Sequence, residues 1–177
     1  TVIYSTDGAE REMMLNSILY STCKNYKSDD INFYIVDYGS EFMRQYKKLP
    51  HVGGVVLQED IEKFNNLFRM IKEEIERRKK LFSDFGGDFK LYNASSKEKE
   101  PIISIILNNF DSIFESNEML FDLLPDLVRD SERYGIIFIL TANKLNSLNR
   151  RINQNFNNSY VLSLKDKSDY KCALGTK

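Results

Sequence analysis

The chain has 177 residues, of which 42% are hydrophobic and 29% are charged, proportions typical of one soluble globular domain rather than of a disordered or collagen-like chain. Its 25 Lys and Arg residues are balanced by 26 Asp and Glu residues. Because DNA-binding surfaces need a basic excess to neutralise phosphates, nucleic acid is not an expected partner.

Other features of the composition bear on the cellular setting. Cys23 and Cys172 form no Cys-x-x-Cys pair, so we expect two free thiols in a reducing compartment. No apolar run approaches the ~18 residues of a membrane span, and no signal peptide is visible. Since the chain begins inside an apparent strand, we interpret residues 1–177 as a single domain of a longer protein, whose membrane anchors would lie elsewhere.

Short apolar segments alternate with segments of helical periodicity, a pattern that indicates β-α-β units and a parallel sheet. "PIISIIL" and "GIIFIL" are hydrophobic on both faces, as buried parallel strands require. The predicted strands are Thr1–Ser5, Ile31–Val36, Gly54–Leu57, Pro101–Leu107, Ile136–Leu140 and Tyr160–Leu164. The predicted fold class is therefore α/β, with a mainly parallel sheet flanked by helices on both faces.

Two segments with helical spacing precede the fourth strand. The first is amphipathic; its apolar residues are Met13, Met14, Leu15, Ile18 and Leu19. The second spans roughly Asp60–Phe82, and its apolar stripe consists of Ile61, Phe64, Leu67, Phe68, Ile71 and Ile75. On the opposite face we expect the bases Arg77–Lys80 to be solvated and balanced by neighbouring Glu residues.

Two further segments carry less regular patterns. Residues Asn117–Tyr134 show helical spacing but contain Pro125, which predicts a kink or two abutting helices. The polar stretch "YNASSKEKE", residues 92–100, predicts a mobile loop.

The stretch "YSTDGAEREMML" joins the first strand to the first helix, where phosphate-binding loops occur. Such a loop reads G-x-x-x-x-G-K-[ST]: its glycines let backbone amides surround the phosphates, Lys reaches the β and γ groups, and the hydroxyl holds Mg²⁺. The four specified positions hold Ser5, Glu10, Arg11 and Glu12, and none matches. A carboxylate about 4 Å from a phosphate costs on the order of 4 kcal/mol at an effective dielectric near 20. These residues alone leave an ordinary turn and a vestigial loop as equal alternatives.

A nucleotide site also needs an Asp, often followed by Glu, at the end of an apolar strand, to hold Mg²⁺ and orient water. The fourth predicted strand ends instead in Asn108–Asn109, with Asp111 two residues further on. Ligands of parallel sheets bind beyond the carboxyl ends of the strands. Asp37, Thr141 and Asn143 occupy that position after other strands and are further candidates.

Five segments in order resemble one family: "FYIVDYGSEF", "YKKLPHVGGVV", "EEIERRKKLF", "IILNNFDSI" and "YGIIFILTANK". They resemble the FtsK/SpoIIIE-type ATPase domains, and most closely the tandem domains of the EssC/EccC coupling proteins of type VII secretion. The resemblance covers nearly the whole chain. It implies a RecA-like P-loop NTPase fold, Thr141 and Asn143 in sensor-like positions, and a place in a membrane-anchored bacterial secretion motor whose active members hydrolyse ATP between ring subunits.

The departures from the family fall on its catalytic positions. Its phosphate-loop Gly, Lys and Ser/Thr align with Glu10, Arg11 and Glu12, and its metal-binding Asp with Asn108. Ser159 and Ser163 stand where translocase-like members carry Arg, so a charge-stabilising Arg is missing too. Gly8 matches a frequent Gly of relatives and can serve a tight turn.

These departures favour a vestigial nucleotide loop, comprising Ser5, Thr6, Asp7, Gly8, Ala9, Glu10, Arg11 and Glu12 together with Asn108 and Asn109. We expect no catalytic residue, no metal ligand and no cofactor, with ATP and Mg²⁺ bound weakly if at all. The resemblance implies neighbouring ATPase domains and secreted proteins as partners, and a ring formed through the full-length protein.

Several interpretations stay open. A weak ATPase using Arg11 and Asp111 is the first alternative, and an FtsK-type DNA translocase the second. Around "FGGDFKLY", Phe85, Phe89 and Tyr92 either line a groove for a secreted helix or cover the core beneath a loop. The single histidine, His51, lacks companion ligands, so we expect it to hydrogen-bond within the fold.

Overall fold

The computed structural model describes residues 1–117 and 120–174. Its centre is a sheet of six parallel strands in the order β3-β2-β4-β5-β1-β6. The strands are β1 (Val2–Tyr4), β2 (Ile31–Asp37), β3 (Val52–Leu57), β4 (Ile102–Asn108), β5 (Ile136–Ala142) and β6 (Ser159–Val161). The predicted parallel sheet is confirmed, and all six predicted strands are present with ends shifted by three residues or fewer.

Helices cover both faces of the sheet, as predicted. They are α1 (Gly8–Asn25), α2 (Ile61–Leu81), α3 (Phe89–Ser95), α4 (Phe110–Ser116), α5 (Leu120–Ser131), α6 (Arg150–Asn153) and α7 (Lys167–Leu174). Side chains alternate along each strand, so Val36 of β2 packs in the core beneath α2, α4 and α5. Its neighbour Ile35 packs in a second core beneath α1 and a 3-10 helix, Phe42–Lys48.

The structure also shows the state of the two cysteines and the lengths of the helices. Cys23 and Cys172 are free, as expected. Within the described ranges, no helix combines the length and the apolar character that a membrane crossing requires.

The predicted helix over Asp60–Phe82 is confirmed as α2, but one residue of its apolar stripe is exposed. Phe64 and Ile71 are buried against the sheet, whereas Ile61, the first residue of α2, is 62% exposed. In the same way Met13 of α1 is 69% exposed, while Leu15 and Leu19 face the sheet.

The loop predicted for residues 92–100 is wrong over its first half, since α3 continues to Ser95. Asp88 caps the helix by accepting hydrogen bonds from the amides of Lys90 and Leu91, an arrangement that favours helix initiation. Tyr92 anchors the helix by packing its ring on Phe82, 4.7 Å between centroids. The composition of this stretch is polar, but a cap and one aromatic contact make it helical.

Of the two alternatives predicted at Pro125, a kink or two abutting helices, the second is wrong. Pro125 lies inside a single helix, α5, which begins at Leu120 and ends at Ser131. Leu124 and Val128, on either side of the proline, are both buried in the core, and this packing holds the helix together. Glu118 and Met119, within the predicted segment, lie outside the described residues.

The predicted solvated basic face contains one residue that is fully buried. Arg78 has no exposed surface, and its guanidinium donates to Glu74 Oε1 at 2.7 Å, the Tyr134 carbonyl at 2.8 Å and the Pro101 carbonyl at 2.8 Å. Tyr134 and Pro101 precede β5 and β4. Arg78 therefore ties the C-terminal part of α2 to the entrances of two central strands.

The charge of Arg78 is balanced by two partly buried carboxylates. Glu74 pairs with it directly, and Glu100 lies 3.5 Å away. Burial alone would raise the pKa of Glu74, but hydrogen bonds and charges from Arg77 and Arg78 outweigh it, and the pKa lies below its ordinary value. Arg77, by contrast, is exposed and bonds the same two carboxylates from the solvent side.

We predict that Arg78→Met lowers the free energy of unfolding by about 3 to 5 kcal/mol, because it removes the cation of a buried pair and leaves two backbone carbonyls without donors. Urea denaturation at pH 7 measures this loss. Lys79→Met is the matched control: its exposed pair with Glu76 predicts a change of about 1 kcal/mol or less. Equal effects in the two variants would contradict the role assigned to Arg78.

Candidate functional site

The loop that follows β1 is shorter than the sequence pattern suggested. The Asp7 side chain accepts a hydrogen bond from the Ala9 amide at 2.9 Å and caps α1, so the helix begins at Gly8. Ser5, Thr6 and Asp7 connect the strand to the helix. Among the described residues, the glycines with left-handed backbone are Gly86, Gly87 and Gly135, whereas Gly8 is the first residue of α1.

Glu10 lies in the first turn of α1 and turns its carboxylate toward the segment after β6. It accepts from Ser5 Oγ at 2.7 Å, from Ser163 Oγ at 2.6 Å and from the Ser163 amide at 3.0 Å. These bonds, those of Ser163 first, lower the pKa of Glu10 below its ordinary value. The Glu10 carboxylate thus accepts the hydrogen bonds that Ser5 and Ser163 donate beside the loop.

Arg11 points into the fold rather than out of it. It is buried, and its Nη1 donates to the Ser5 carbonyl, while Nε has no hydrogen-bond partner within residues 1–117 and 120–174. Burial lowers the pKa of Arg11, and the carboxylates of Asp111, Glu12 and Asp7 partly oppose that effect. Arg11 therefore stabilises the turn around the Ser5 carbonyl.

Glu12, the third of the charged positions, is engaged elsewhere. Its carboxylate accepts a hydrogen bond from the hydroxyl of Ser40, a residue that follows β2. Glu10 and Arg11 therefore both bond Ser5, through its hydroxyl and its carbonyl, whereas Glu12 bonds Ser40.

At the neighbouring strand ends, four polar groups form one continuous network. Asn108 Nδ2 donates to Asp37 Oδ1 at 2.9 Å, and Asn108 Oδ1 accepts from Thr141 Oγ1 at 2.7 Å. The Thr141 hydroxyl in turn accepts from the Asn109 amide at 2.8 Å. The structure thus brings together four of the predicted residues: one each from β2, β4 and β5, and Asn109, which follows β4.

The Asp37 carboxylate accepts three hydrogen bonds. Besides Asn108 it accepts from the amides of Gly39 and Met43, each at 3.0 Å, and it is fully buried. Three donors stabilise a buried carboxylate. An Asp in place of Asn108 would set a second carboxylate against Asp37, so the amide is the side chain that this network accommodates.

The residues after Asn108 continue this arrangement. Asn109 adopts a left-handed backbone, φ 61°, which Asn tolerates better than most residues, and its Nδ2 donates to the Tyr38 carbonyl at 3.1 Å. Asp111 accepts from the Asn143 amide at 2.8 Å and from the Ser147 hydroxyl. Asp111 therefore orders the loop after β5.

Ser163 is the participant that sequence reasoning misses. The sequence marks it only as the replacement for an Arg, whereas it supplies two of the three donors to Glu10. Ser159, the other such replacement, is exposed on β6. Because Glu10 and Ser163 are 153 residues apart in sequence, no local pattern could have revealed their contact.

The remaining candidates have structural roles. His51 Nε2 lies 2.8 Å from the Tyr26 carbonyl, as expected of a histidine that bonds within the fold. Tyr92 is buried, and Phe85 and Phe89 pack at ring distances from Tyr92 and Phe82 respectively. Phe85 and Phe89 are half-buried, and their ring contacts favour the alternative in which these aromatics cover the core.

Comparison with known proteins extends these observations to the family. The profile of the FtsK/SpoIIIE family matches residues 11–174. The chain belongs to the FtsK/SpoIIIE family. It is 32% identical over 168 residues to the ESX secretion system protein YukB of Bacillus subtilis, and this alignment covers 94% of the chain but 11% of YukB. The predicted resemblance to type VII secretion proteins is thus confirmed.

Two solved structures have the same fold. The cytoplasmic domain of EssC superposes with a TM-score of 0.92 at 29% identity, covering 99% of this chain and 35% of the other. Thermomonospora curvata EccC, ATPases 2 and 3 in complex with a signal sequence peptide, superposes with a TM-score of 0.84 at 21% identity, covering 99% and 34%. The fold is the predicted RecA-like fold of P-loop ATPase domains.

The lowered pKa of Glu10 predicts a pH-dependent contribution to stability. Because its folded-state pKa lies below the ordinary value, the contribution is present above the pKa of the unfolded chain, about 4.3, and is lost as the pH falls through the folded-state value. Glu10→Gln should therefore be less stable than the natural protein at pH 7, with the difference shrinking below pH ~4.

Urea denaturation of both proteins between neutral and acidic pH measures this difference. Glu98→Gln is a suitable control, since Glu98 is exposed and its side chain has no hydrogen bond among those described. A difference between Glu10→Gln and the natural protein that does not change with pH would contradict the assigned bonds.

Proposed function

We propose that this domain is a catalytically degenerate ATPase domain of a type VII secretion protein, which recognises secreted substrates or regulates neighbouring ATPase domains. The observation that carries the proposal is the Glu10 carboxylate, bonded to Ser5 and Ser163 in the first turn of the helix where an active loop surrounds phosphate. A fixed negative charge at this place repels the phosphates of ATP.

The other catalytic positions support the same proposal. Arg11 is buried and bonded to the Ser5 carbonyl, so its cation is directed away from the solvent side of the loop. Asn108 is neutral and bonded on both atoms of its amide to Asp37 and Thr141, and it offers no charge to Mg²⁺. Each of these groups would have to break existing bonds to serve nucleotide.

Two alternatives are less well supported. A weak ATPase would rely on Arg11 and Asp111, but Asp111 already accepts from Asn143 and Ser147. An FtsK-type DNA translocase would need a basic surface, and the formal net charge is −1. The proposed partners are therefore proteins: neighbouring ATPase domains of a longer chain and secreted substrates.

The relatives support the proposed setting. YukB is named as an ESX secretion system protein, and the EssC structure is a cytoplasmic domain. We place this domain on the cytoplasmic side of a membrane-anchored bacterial protein, assembled into a ring through that protein's other parts.

An apolar groove between α2 and α5 offers a site for a secreted helix. Its volume is about 740 Å³, and Phe64, Phe68, Leu120 and Leu123 line it, with Ile61 62% exposed at its mouth. Such grooves receive the apolar face of an amphipathic helix. Because Thermomonospora curvata EccC forms a complex with a signal sequence peptide, we propose a signal segment of this kind as the occupant.

The loss of nucleotide binding is tested by calorimetric titration of the protein with ATP and Mg²⁺. We expect no heat and no thermal stabilisation up to millimolar ATP. The triple variant Glu10→Gly/Arg11→Lys/Glu12→Thr restores the loop consensus at three positions and is expected to gain binding. Micromolar binding by the natural sequence would overturn the proposal and favour the ATPase alternative.

The groove is tested by fluorescence anisotropy with a labelled peptide that copies the C-terminal tail of a small helical protein secreted by the same system. Ile61→Asp should weaken binding by about tenfold or more, because it places a charge in an apolar contact. Met13→Asp is the matched control, since Met13 is similarly exposed, 69% against 62%, but lies on α1. Equal losses in both variants, or no loss in Ile61→Asp, would exclude this groove.

A further inference from the structure

The segment that follows β6 is bound to the β1–α1 turn through a single residue. Ser163 gives its amide and its hydroxyl to Glu10, at 3.0 and 2.6 Å. Its carbonyl accepts from the Thr6 amide at 2.8 Å and from the Thr6 hydroxyl at 3.1 Å. Every polar group of Ser163 therefore faces the turn.

The same segment is bound to the last helix. The hydroxyl of Tyr170, in α7, donates to the Leu162 carbonyl at 2.9 Å and accepts from the Leu164 amide at 2.7 Å. Leu162 and Leu164 flank Ser163 directly. A displacement of Ser163 would therefore move the residues that hold α7.

We propose that Glu10 is a built-in anion, which takes the place of a phosphate between the first turn of α1 and the segment 162–164, and thereby fixes α7 without any ligand. The donors that surround its carboxylate are the Ser5 and Ser163 hydroxyls and the Ser163 backbone amide, and hydroxyls and backbone amides are also donors to phosphate oxygens. Charge-assisted bonds of this kind are stronger than neutral ones.

The proposal implies that α1 and α7 are connected permanently through Ser163. A bound phosphate can leave after hydrolysis, and contacts to it are then released. The Glu10 carboxylate belongs to the chain, so the hydrogen bonds that link α1 through Ser163 to Tyr170 persist whether or not nucleotide is present. This inference concerns the conformation of the segment, and it holds or fails independently of which partner occupies the groove.

Amide hydrogen exchange of the 177-residue chain tests the proposal. In Glu10→Ala, amides of residues 162–164 and of α7 should exchange about tenfold faster or more, while amides of β4 and β5 keep their rates. Glu12→Ala is the matched control on the same helix, and it should leave the segment unchanged. Unchanged exchange in Glu10→Ala, or equal acceleration throughout the protein, would overturn the proposal.

The role as a phosphate substitute has its own test. Millimolar inorganic phosphate should restore slow exchange of the segment in Glu10→Ala and should not change the natural protein, whose anion position is filled. Failure of phosphate to slow exchange in a loosened variant would overturn the anion assignment. If the alanine variant does not fold, Glu10→Gln, which keeps the side-chain volume and loses the charge, carries the exchange measurement, and Glu10→Ser, which leaves the anion position open, carries the phosphate measurement.

Discussion

Parallel strands end at the same edge of a sheet, and the polar groups that gather there must satisfy one another where water cannot reach them. This constraint governs the carboxyl edge of the domain. Asp37, Asn108 and Thr141 satisfy it with one buried network, and the Glu10–Ser163 contact lies nearby in an exposed position. Each of these polar groups is already bonded within the protein.

Glu10 and Arg11, adjacent residues of opposite charge, lie in different environments at this edge. Glu10 is partly exposed and gathers donors from Ser5 and Ser163, whereas Arg11 is buried against the Ser5 carbonyl. A guanidinium is the cation best suited to such burial, because it is delocalised and more weakly hydrated than an ammonium. The result is a turn held from both sides by its own side chains, with a negative charge left on its outer surface.

Helix α2 is anchored at its C-terminal part and has an exposed apolar residue at its N-terminus. Arg78 fixes its C-terminal part to the carbonyls before β4 and β5. Its N-terminal turn carries the exposed Ile61 beside the groove lined by Phe64 and Leu120. Because α2 is anchored at one end, it can present this apolar surface without reorganising. Such preorganisation lowers the entropic cost of binding a partner.

The sequence by itself determined the succession of strands along the chain, the two-sided helical covering, the family and the absence of a consensus phosphate loop, because hydrophobic periodicity and short motifs are local properties. It did not determine that Arg78 is buried, since "RRKK" reads as a solvated run until the Pro101 and Tyr134 carbonyls are placed beside it. Nor could it pair Glu10 with Ser163, or Asn108 with Asp37. Those contacts join residues that are distant in sequence, and only the order of the strands in the sheet brings them within hydrogen-bonding distance.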